Sequence, residues 1–275
     1  GKVTVQVKAE NANYTTATAN YTLEVTHASV TVTANDKTKV YGDKDPALTA
    51  KVEGNLNGDE IAYTLSRAVG ENVGTYPITP TGEEIQGNYK VTYVQGNLEI
   101  TKRGLGEEPE EKVTITAKDV TATYDGQPHG ENGYTSANLA EGDKVAFVTI
   151  SGSQTNVGTY NGELVPKDAK IVNAAGEDMT GNYEITYNPG TLTITANNTM
   201  TVSGKDYNGV YDGNAHGEAA IANVTEGTKI TYSVDGGKTW KDEFPTITDV
   251  GKVTVQVKAE NANYTTATAN YTLEV

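Results

Sequence analysis

The feature that most constrains this chain is a repetition at its two ends. Residues 1–25, GKVTVQVKAENANYTTATANYTLEV, are identical to residues 251–275, an offset of 250 residues. A fixed offset of this kind is typical of repetitive proteins, in which one sequence period is copied in tandem. We therefore expect a parent protein with a 250-residue period, in which residues 1–25 are the C-terminal strands of a preceding, truncated repeat.

A shorter, degenerate repeat divides this period into three. An early turn recurs as VYGDKDP at 40–46, TYDGQPH at 123–129 and VYDGNAH at 210–216. A middle strand recurs as NVGTYPIT, NVGTYNGE and DVGKVTVQ, and a terminal pair of strands follows it each time. The constant order predicts small tandem domains. We place them at 26–101, 112–195 and 198–275, with an acidic linker at 102–111.

Within each domain, apolar and polar residues alternate with the period of a β-strand. Val-Thr-Val-Thr at 30–33 and Val-Thr-Ile-Thr at 113–116 are examples. Gln95-Gly96 and Pro189-Gly190 predict hairpin turns between the terminal strands. About seven short strands per domain predict an all-β fold of small antiparallel, immunoglobulin-like β-sandwiches in an elongated array. A β-grasp unit is the alternative, but no segment shows the helical period that it needs.

Composition and motifs argue against several classes of function. The chain has no cysteine, which excludes disulfides, thiolate metal sites and thiol nucleophiles. A formal net charge of -15, with 21 basic residues among 36 acidic ones, argues against nucleic-acid binding. No window approaches the roughly 18 consecutive apolar residues of a membrane span. The sequence also lacks a nucleophile elbow and a phosphate-binding loop. We expect no enzymatic activity and no cofactor.

The ordered landmarks resemble the MBG repeats of bacterial surface proteins. Residues 40–101 resemble the YGX type through VYGDKDP, NVGTYPIT and GNYKVTYVQGNLEIT. Residues 112–195 resemble the YDG type through TYDGQPHG, NVGTYNGEL and GNYEITYNPGTLTIT, and residues 198–275 are a more diverged copy. The resemblance implies an extracellular module of large, adhesin-like proteins, held at the cell surface or cell wall through a region outside this chain. It brings no catalytic residues.

One segment of the third domain, at 233–240, matches the S-x-D-x-G-x-T-W pattern of the Asp box. That pattern is familiar from sialidases, where it forms a structural hairpin away from the chemistry. We expect the Asp235 carboxylate to accept backbone N–H groups of a turn that contains Gly237, with Trp240 packed beneath it. A sialidase needs an arginine cluster, and this chain has only Arg67 and Arg103. A sugar-stacking surface on Trp240 is the alternative.

The pattern Tyr-Asp-Gly-x-x-His occurs twice, and Tyr-Gly-Asp takes its place in the first domain. We expect these residues to build a turn, in which Tyr124 and Tyr211 enter the core and Gly126 and Gly213 supply permissive backbone angles. They are Tyr41, Gly42, Tyr124, Asp125, Gly126, His129, Tyr211, Asp212, Gly213 and His216. Two ligands alone make a poor metal site, so none is expected here.

Two alternatives concern other charged side chains. The acidic turn Asp43-Lys44-Asp45 offers hard oxygen donors of the kind that Ca²⁺ prefers, although it lacks the spacing of an EF-hand. A Lys–Asn or Lys–Asp isopeptide bond, which stiffens some surface stalks, is the second alternative, with Lys118 as one candidate if it is buried.

The repetition and short junctions favour a stalk or spacer, in which three units of about 30 Å span roughly 90 Å. The alternative is a low-affinity, multivalent adhesion module for host glycans or mucin, with seventeen tyrosines as contact surface. Because residues 1–25 lack their partner strands, we expect them to be disordered or to pair with a strand edge of another chain.

Overall fold

A computed structural model of the chain describes residues 1–130 and 133–275. Its regular structure is almost entirely β-strand, and a 3-10 turn lies at Thr180–Asn182. The residues group into two compact units. One unit contains residues 1–113, 138–144 and 171–185, and the other contains residues 114–137, 145–170 and 186–275.

The first repeat lies within the first unit and forms two facing four-stranded sheets, β4-β10-β7-β6 and β5-β3-β9-β8, after an N-terminal pair of strands, β1-β2. The strands are β1 (Lys2–Asn11), β2 (Tyr14–Glu24), β3 (Ala28–Ala34), β4 (Lys37–Val40), β5 (Ala50–Glu53), β6 (Thr64–Arg67), β7 (Gly74–Thr81), β8 (Ile85–Gln86), β9 (Tyr89–Val94) and β10 (Gly96–Thr101). Val32, Leu98 and Ile78 lie between the two sheets and are completely buried.

The second repeat contributes residues to both units, and the third lies in the second unit. The second repeat has sheets β13-β11-β16 and β12-β17-β15-β14, and the third has β18-β20 and β19-β23-β22-β21. The strands are β11 (Val113–Ala117), β12 (Val120–Thr123), β13 (Tyr134–Ala137), β14 (Lys144–Ser151), β15 (Gly158–Val172), β16 (Ile185–Asn188), β17 (Gly190–Thr195), β18 (Val202–Ser203), β19 (Tyr207–Asn208), β20 (Ile221–Ala222), β21 (Lys229–Ser233), β22 (Lys252–Asn261) and β23 (Tyr264–Glu274).

The alternating sequence produces these sheets by placing one face of each strand in a core. In β11, Val113, Ile115 and Ala117 are buried, whereas the threonines between them are partly exposed. A period of two leaves every second side chain on the same face of a strand. The prediction of tandem all-β sandwiches is therefore confirmed.

The sheets are mixed, however, rather than wholly antiparallel. Strand β3 lies beside β9 in one sheet, and after the turn at Asn35-Asp36 the chain crosses to the other sheet as β4. There β4 runs parallel to the last strand of the repeat, β10. The same parallel pairing joins β12 to β17 and β19 to β23. The first strand of the repeat is thus divided into β3 in one sheet and β4 in the other. Each half runs parallel to a strand from the end of the repeat.

The predicted hairpins at Gln95-Gly96 and Pro189-Gly190 are wrong. Strands β9 and β10 belong to opposite sheets, as do β16 and β17, so each turn carries the chain across the sandwich. The glycine is needed there because the backbone approaches closely. A Cβ added at Gly96 would lie 2.5 Å from the Ala34 carbonyl oxygen, and one at Gly190 would lie 2.8 Å from that of Ala117.

In the third repeat, the crossing glycine is replaced by a large residue and the alanine that it contacts is replaced by glycine. Tyr271 stands where the other repeats have Gly96 or Gly190, and Gly204 stands where they have alanine. The Tyr271 ring fills the space that a side chain at Gly204 would need, because an added Cβ would lie 2.0 Å from it. With a tyrosine in place of the crossing glycine, β23 continues as one long strand and forms a true hairpin with β22.

Residues 1–25 form a hairpin rather than a disordered segment. Its register pairs Lys2 with Glu24, which matches the pairing of Lys252 with Glu274 in the identical segment. Val7 is 48% exposed in this hairpin, whereas the corresponding Val257 is buried. Strand pairing between its two halves therefore forms without the apolar cover that the third repeat gives to the same sequence.

Candidate functional site: the junctions between repeats

The Asp-box segment forms a compact turn after β21. The Asp235 carboxylate accepts hydrogen bonds from the Ser233 and Thr239 hydroxyls at 2.7 and 2.6 Å, and from the backbone N–H groups of Lys238 and Thr239, each at 3.0 Å. These hydrogen bonds, first those from Thr239, hold the pKa of Asp235 well below its usual range. The carboxylate is fully occupied by its own turn, as a structural role requires.

Trp240 is held within the same turn. Its indole N–H donates to the Gly237 carbonyl oxygen at 3.1 Å, and the Lys258 ammonium lies 4.8 Å from the ring centroid. A cation at this distance interacts with the face of the ring. That face is therefore occupied by Lys258, which lowers its value as a sugar-stacking surface.

The two Tyr-Asp-Gly-x-x-His segments form closely similar turns. The imidazole Nε2 of His129 lies 2.9 Å from Asp125 Oδ1, and that of His216 lies 2.9 Å from Asp212 Oδ1. The backbone N–H of Asn214, followed by His216, lowers the pKa of Asp212 to about 2. No group of three or more potential metal-ligating side chains occurs in the described ranges 1–130 and 133–275.

The glycines of these turns adopt the left-handed conformation, with φ of +82° at Gly126 and +80° at Gly213. Nothing lies within 4 Å of a Cβ built on either residue, so the backbone angle rather than crowding favours glycine. Tyr124 is half-buried, but Tyr211 is 57% exposed and does not enter the core. The prediction of a core position is therefore wrong for Tyr211.

The acidic turn of the first repeat is part of an ion-pair network. Asp45 accepts from the buried Lys39 ammonium at 2.6 Å and from Arg67, which also pairs with Glu71. Hydrogen bonds from Arg67 and then Lys39 lower the pKa of Asp45. Lys39 in turn contacts Glu71 at 2.6 Å. Both carboxylate oxygen atoms of Asp45 thus accept hydrogen bonds from Lys39 and Arg67 instead of facing solvent as free ligands for Ca²⁺. Lys118, the isopeptide candidate, is exposed.

The most distinctive contacts join one repeat to the next. Within the first unit, Tyr41 of the first repeat packs edge-on against Tyr183 of the second, with ring centroids 5.4 Å apart at 76°. Both hydroxyls donate to Asp143 Oδ2, at 3.0 and 2.6 Å. Burial, followed by the hydrogen bond to Asp143, raises the pKa of Tyr41 to about 12, and the same causes raise the pKa of Tyr183. A Cβ at Gly42 would lie 2.5 Å from the Ala140 Cβ, which shows how closely the backbones approach.

An asparagine side chain completes this first junction. Asn182 Oδ1 accepts the backbone N–H of Val73 at 2.9 Å, and Asn182 Nδ2 donates to Asn72 Oδ1 at 2.9 Å. The backbone N–H of Arg103 donates to the Asn182 carbonyl oxygen, and Arg103 Nε donates to the Tyr41 carbonyl oxygen, both at 3.0 Å. Asn182 is only 6% exposed. The start of the acidic linker is thus fixed in place.

The tyrosine pair and the asparagine contacts recur within the second unit, between the second and third repeats. Tyr124 packs edge-on against Tyr264, with ring centroids 5.4 Å apart at 75°. Asn263 Oδ1 accepts the backbone N–H of Val157 at 2.9 Å, and Asn263 Nδ2 donates to Asn156 Oδ1 at 3.1 Å. Asn197 takes the place of Arg103: its side chain donates to the Tyr124 carbonyl oxygen, and its N–H donates to the Asn263 carbonyl oxygen.

The sequence motifs marked these positions, but their role was missed. The motifs place Tyr41 and Tyr124 in turns, and Tyr124 also in a core, but they do not indicate that each ring packs against the following repeat. Neither Asn182 nor Asn263 belongs to the predicted site residues. A signal was present, because Asn-Val-Gly and Asn-Tyr recur at the same places in successive repeats, although the residues before and after them vary.

Small β-sandwiches joined in tandem through recurring hydrogen bonds define a class of repeat modules. The sequence profile of the MBG domain, YGX type, matches residues 30–99 and 113–193, which is more than half of the chain. The chain belongs to the MBG domain family. The YGX profile covers both repeats, including the one in which we expected the YDG type. MBG domains occur in extracellular surface proteins, and modules of this kind are typically structural. No curated protein matches the sequence at a significant level.

The solved structures to which the chain is similar are distant in sequence. A protocadherin gamma B7 fragment with extracellular cadherin domains 1–4 is 10% identical, with all of this chain and 83% of that chain covered, at a TM-score of 0.29. The protocadherin gamma B4 extracellular domain is 9% identical, with 99% and 55% covered, at 0.30. A SusE-like surface polysaccharide-binding protein from Bacteroides thetaiotaomicron is 12% identical, with 100% and 52% covered, at 0.19.

Across residues 1–130 and 133–275, no helix reaches the length and apolar character of a bilayer-spanning helix.

Proposed function

We propose that this chain is a structural spacer segment of a large, repetitive bacterial surface protein. The observation that carries the proposal is the recurrence of one contact set at two successive junctions, with the tyrosine pair at 5.4 Å in both. A junction built from backbone and side-chain hydrogen bonds restricts motion between neighbours without a ligand or a metal ion. Because each repeat contacts only its neighbours, junctions of this kind fix the position of one repeat relative to the next along the segment.

The family and the composition agree with this role. Membership of the MBG domain family supports an extracellular location, and we propose attachment to the cell surface through a region outside this chain. Because the chain has no cysteine, disulfide bonds cannot supply stiffness, and we assign it to the noncovalent contacts of the junctions. The same proposal assigns the chain no catalytic activity and no cofactor.

Small-angle X-ray scattering tests the spacer role. A rod of three units, about 90 Å long, has a radius of gyration of about 27 Å, whereas a compact globule of this length has about 19 Å. We expect the higher value and a pair-distance distribution with a long tail. A radius of gyration near the lower value would refute the spacer proposal.

A second function, weak glycan binding, has one specific observation in its favour. A cavity of about 260 Å³ lies beside the Asp-box turn and is lined by Tyr232, Thr239, Lys241 and Phe244, among others. Phe244 is 44% exposed and offers an aromatic face next to polar groups. Many weak copies of such a site would bind mucin through avidity. A glycan array probed with the chain and with Phe244→Ala tests this function, and binding that is lost in the variant would support it.

A further inference from the structure

The third repeat presents an unpaired version of the surface that the first two repeats use at their junctions. Tyr211 is the counterpart of Tyr41 and Tyr124, five residues after the aspartate that caps the last strand of each repeat. Val250 is the counterpart of Val73 and Val157, because Gly251 pairs with Val275 as Gly74 does with Ile100. Tyr211 is 57% and Val250 78% exposed, whereas Tyr41 is 7% and Val73 38% exposed.

The first repeat carries the complementary surface at its own N-terminal end. Tyr89 donates to Asp59 Oδ2 at 2.7 Å and accepts the backbone N–H of Leu56 at 3.0 Å. Tyr183 makes the same two contacts, with Asp143 at 2.6 Å and the Ala140 N–H at 3.0 Å. The tyrosine and carboxylate that receive a preceding repeat are therefore already in place.

Asn88 stands immediately before Tyr89, as Asn182 does before Tyr183 and Asn263 before Tyr264. Its side chain is exposed and has no hydrogen-bond partner within residues 1–130 and 133–275. Asn182, whose amide is used at the first junction, is buried. Asn88 is thus a junction asparagine with its amide unused.

The path of the backbone into the first repeat also follows the junction pattern. The Ala28 N–H donates to the Asn88 carbonyl oxygen at 2.9 Å, as Arg103 does to Asn182 and Asn197 to Asn263, each at 3.0 Å. Residues 1–25 and 251–275 are identical, so the 250-residue period expected from the sequence would place a second copy of the sequence after Val25 directly after Val275. In that continuation, Thr26 to Ala28 occupy the places of Thr101 to Arg103.

We propose that the exposed end of the third repeat, formed by Tyr211, Asp249 and Val250, docks a second copy of residues 26–101 that continues directly from Val275. In the docked state the Val250 N–H donates to Asn88 Oδ1, and Asn88 Nδ2 donates to the Asp249 carboxylate. Asp249 replaces the asparagine of the other junctions, and a carboxylate is the stronger acceptor for an amide N–H. The Tyr211 ring packs edge-on against Tyr89, with its hydroxyl on Asp59.

This inference deepens the proposed spacer role, since it names the partner of the free end. It is tested separately, because the radius of gyration of the 275-residue chain does not depend on any segment beyond Val275. One contact of the other junctions is missing: Ala28 has no side-chain donor for the Tyr211 carbonyl oxygen, unlike Arg103 or Asn197. The third junction is therefore expected to be the weakest of the three.

The experiment compares amide hydrogen exchange at Val250 in the 275-residue chain and in the same chain extended after Val275 by a second copy of residues 26–101. We expect exchange at Val250 to be about tenfold slower in the extended chain, because its N–H gains an acceptor. Protection of Val32 in the second copy verifies that this copy is folded.

Two variants of the second copy separate docking from nearby structure. Asn88→Ala removes the proposed acceptor from an exposed position and should return Val250 to its fast exchange. Lys90→Ala, at an exposed position of β9 two residues later, is the matched control and should leave the protection intact. Equal exchange in both chains, or protection that survives Asn88→Ala, would overturn the proposal. Protection of Val250 that rises with the concentration of the 275-residue chain would assign the surface to separate chains and would also overturn it.

Discussion

Replacement of Asn182 by alanine should release the first junction while both adjoining repeats remain folded. Asn182 is the residue that links the two repeats through both atoms of one amide, with Val73 and Asn72 as its partners. Its side chain is buried at the junction, and the exposed counterpart Asn88 has the same position in the first repeat. The comparison of Asn182→Ala with Asn88→Ala thus holds the chemistry constant and changes only the contact.

The magnitude follows from the two hydrogen bonds. Each is 2.9 Å long, and a neutral hydrogen bond contributes about 1 kcal/mol net, so the junction should lose about 2 kcal/mol. The Val73 N–H is left near the surface, where water takes over as acceptor and limits the further cost. A change of about 2 kcal/mol raises the equilibrium constant for opening about 30-fold.

Amide exchange at Val73 reports the loss of this hydrogen bond, because its N–H donates to the Asn182 side chain in the parent chain. We expect about 30-fold faster exchange at Val73 in Asn182→Ala and less than about twofold in Asn88→Ala. Amides in β3 and β11 should keep their protection in both variants. Unchanged exchange at Val73, or loss of protection throughout β11, would refute the assignment of Asn182 to the junction.

Two further predictions concern the charged and hydroxyl groups of the first unit. The pKa of Tyr41 is raised to about 12 in the folded chain, so its contribution to stability is fully present below pH 10 and is lost as the pH rises through about 12. The rise of the Tyr41 pKa from 10.0 to about 12 corresponds to about 2–3 kcal/mol of unfolding free energy. Tyr41→Phe should therefore reduce the loss of thermal stability between pH 9 and 12. The same decrease of melting temperature with pH in the variant and the parent chain would contradict this prediction. Burial lowers the pKa of Lys39, but the hydrogen bonds to Asp45 and Glu71 outweigh it and raise that pKa. Hydrogen bonds from Arg67 and Lys39 lower the pKa of Asp45. The Lys39 ammonium and the Asp45 carboxylate therefore both stay charged, and we expect no amide bond between them. Intact mass spectrometry should therefore give the sequence mass, and a mass lower by one water would show a crosslink.

Strand positions could be predicted from the sequence because alternation directly reports which face of a strand is buried. The crossing turns could not, since Gln95-Gly96 has the same local signature whether the flanking strands pair or separate into two sheets. The deciding information is the close approach of Gly96 to Ala34, 62 residues earlier in the chain. The paired exchange of Gly204 and Tyr271 in the third repeat carries that information, but only once the repeats are aligned on their registers.

The junction was harder to predict than the fold. Tyrosine and asparagine at turns satisfy local rules for turn formation, so no residue needed a partner from outside its own repeat. Only the structure shows that Asn182 and Asn263 donate and accept across a junction. The recurrence of Asn-Tyr at equal spacing indicated that these positions matter without indicating what they contact.

The spacer role requires junctions that hold one repeat in a fixed position against the next. Double electron–electron resonance spectroscopy between two spin labels tests this fixed position directly. The chain has no native cysteine to compete for the labels. Labels at Val69→Cys in the first repeat and Ala175→Cys in the second use two exposed positions of the first unit. We predict a single narrow distance distribution that broadens in Asn182→Ala. A distribution already as broad in the parent chain as in the variant would contradict the account.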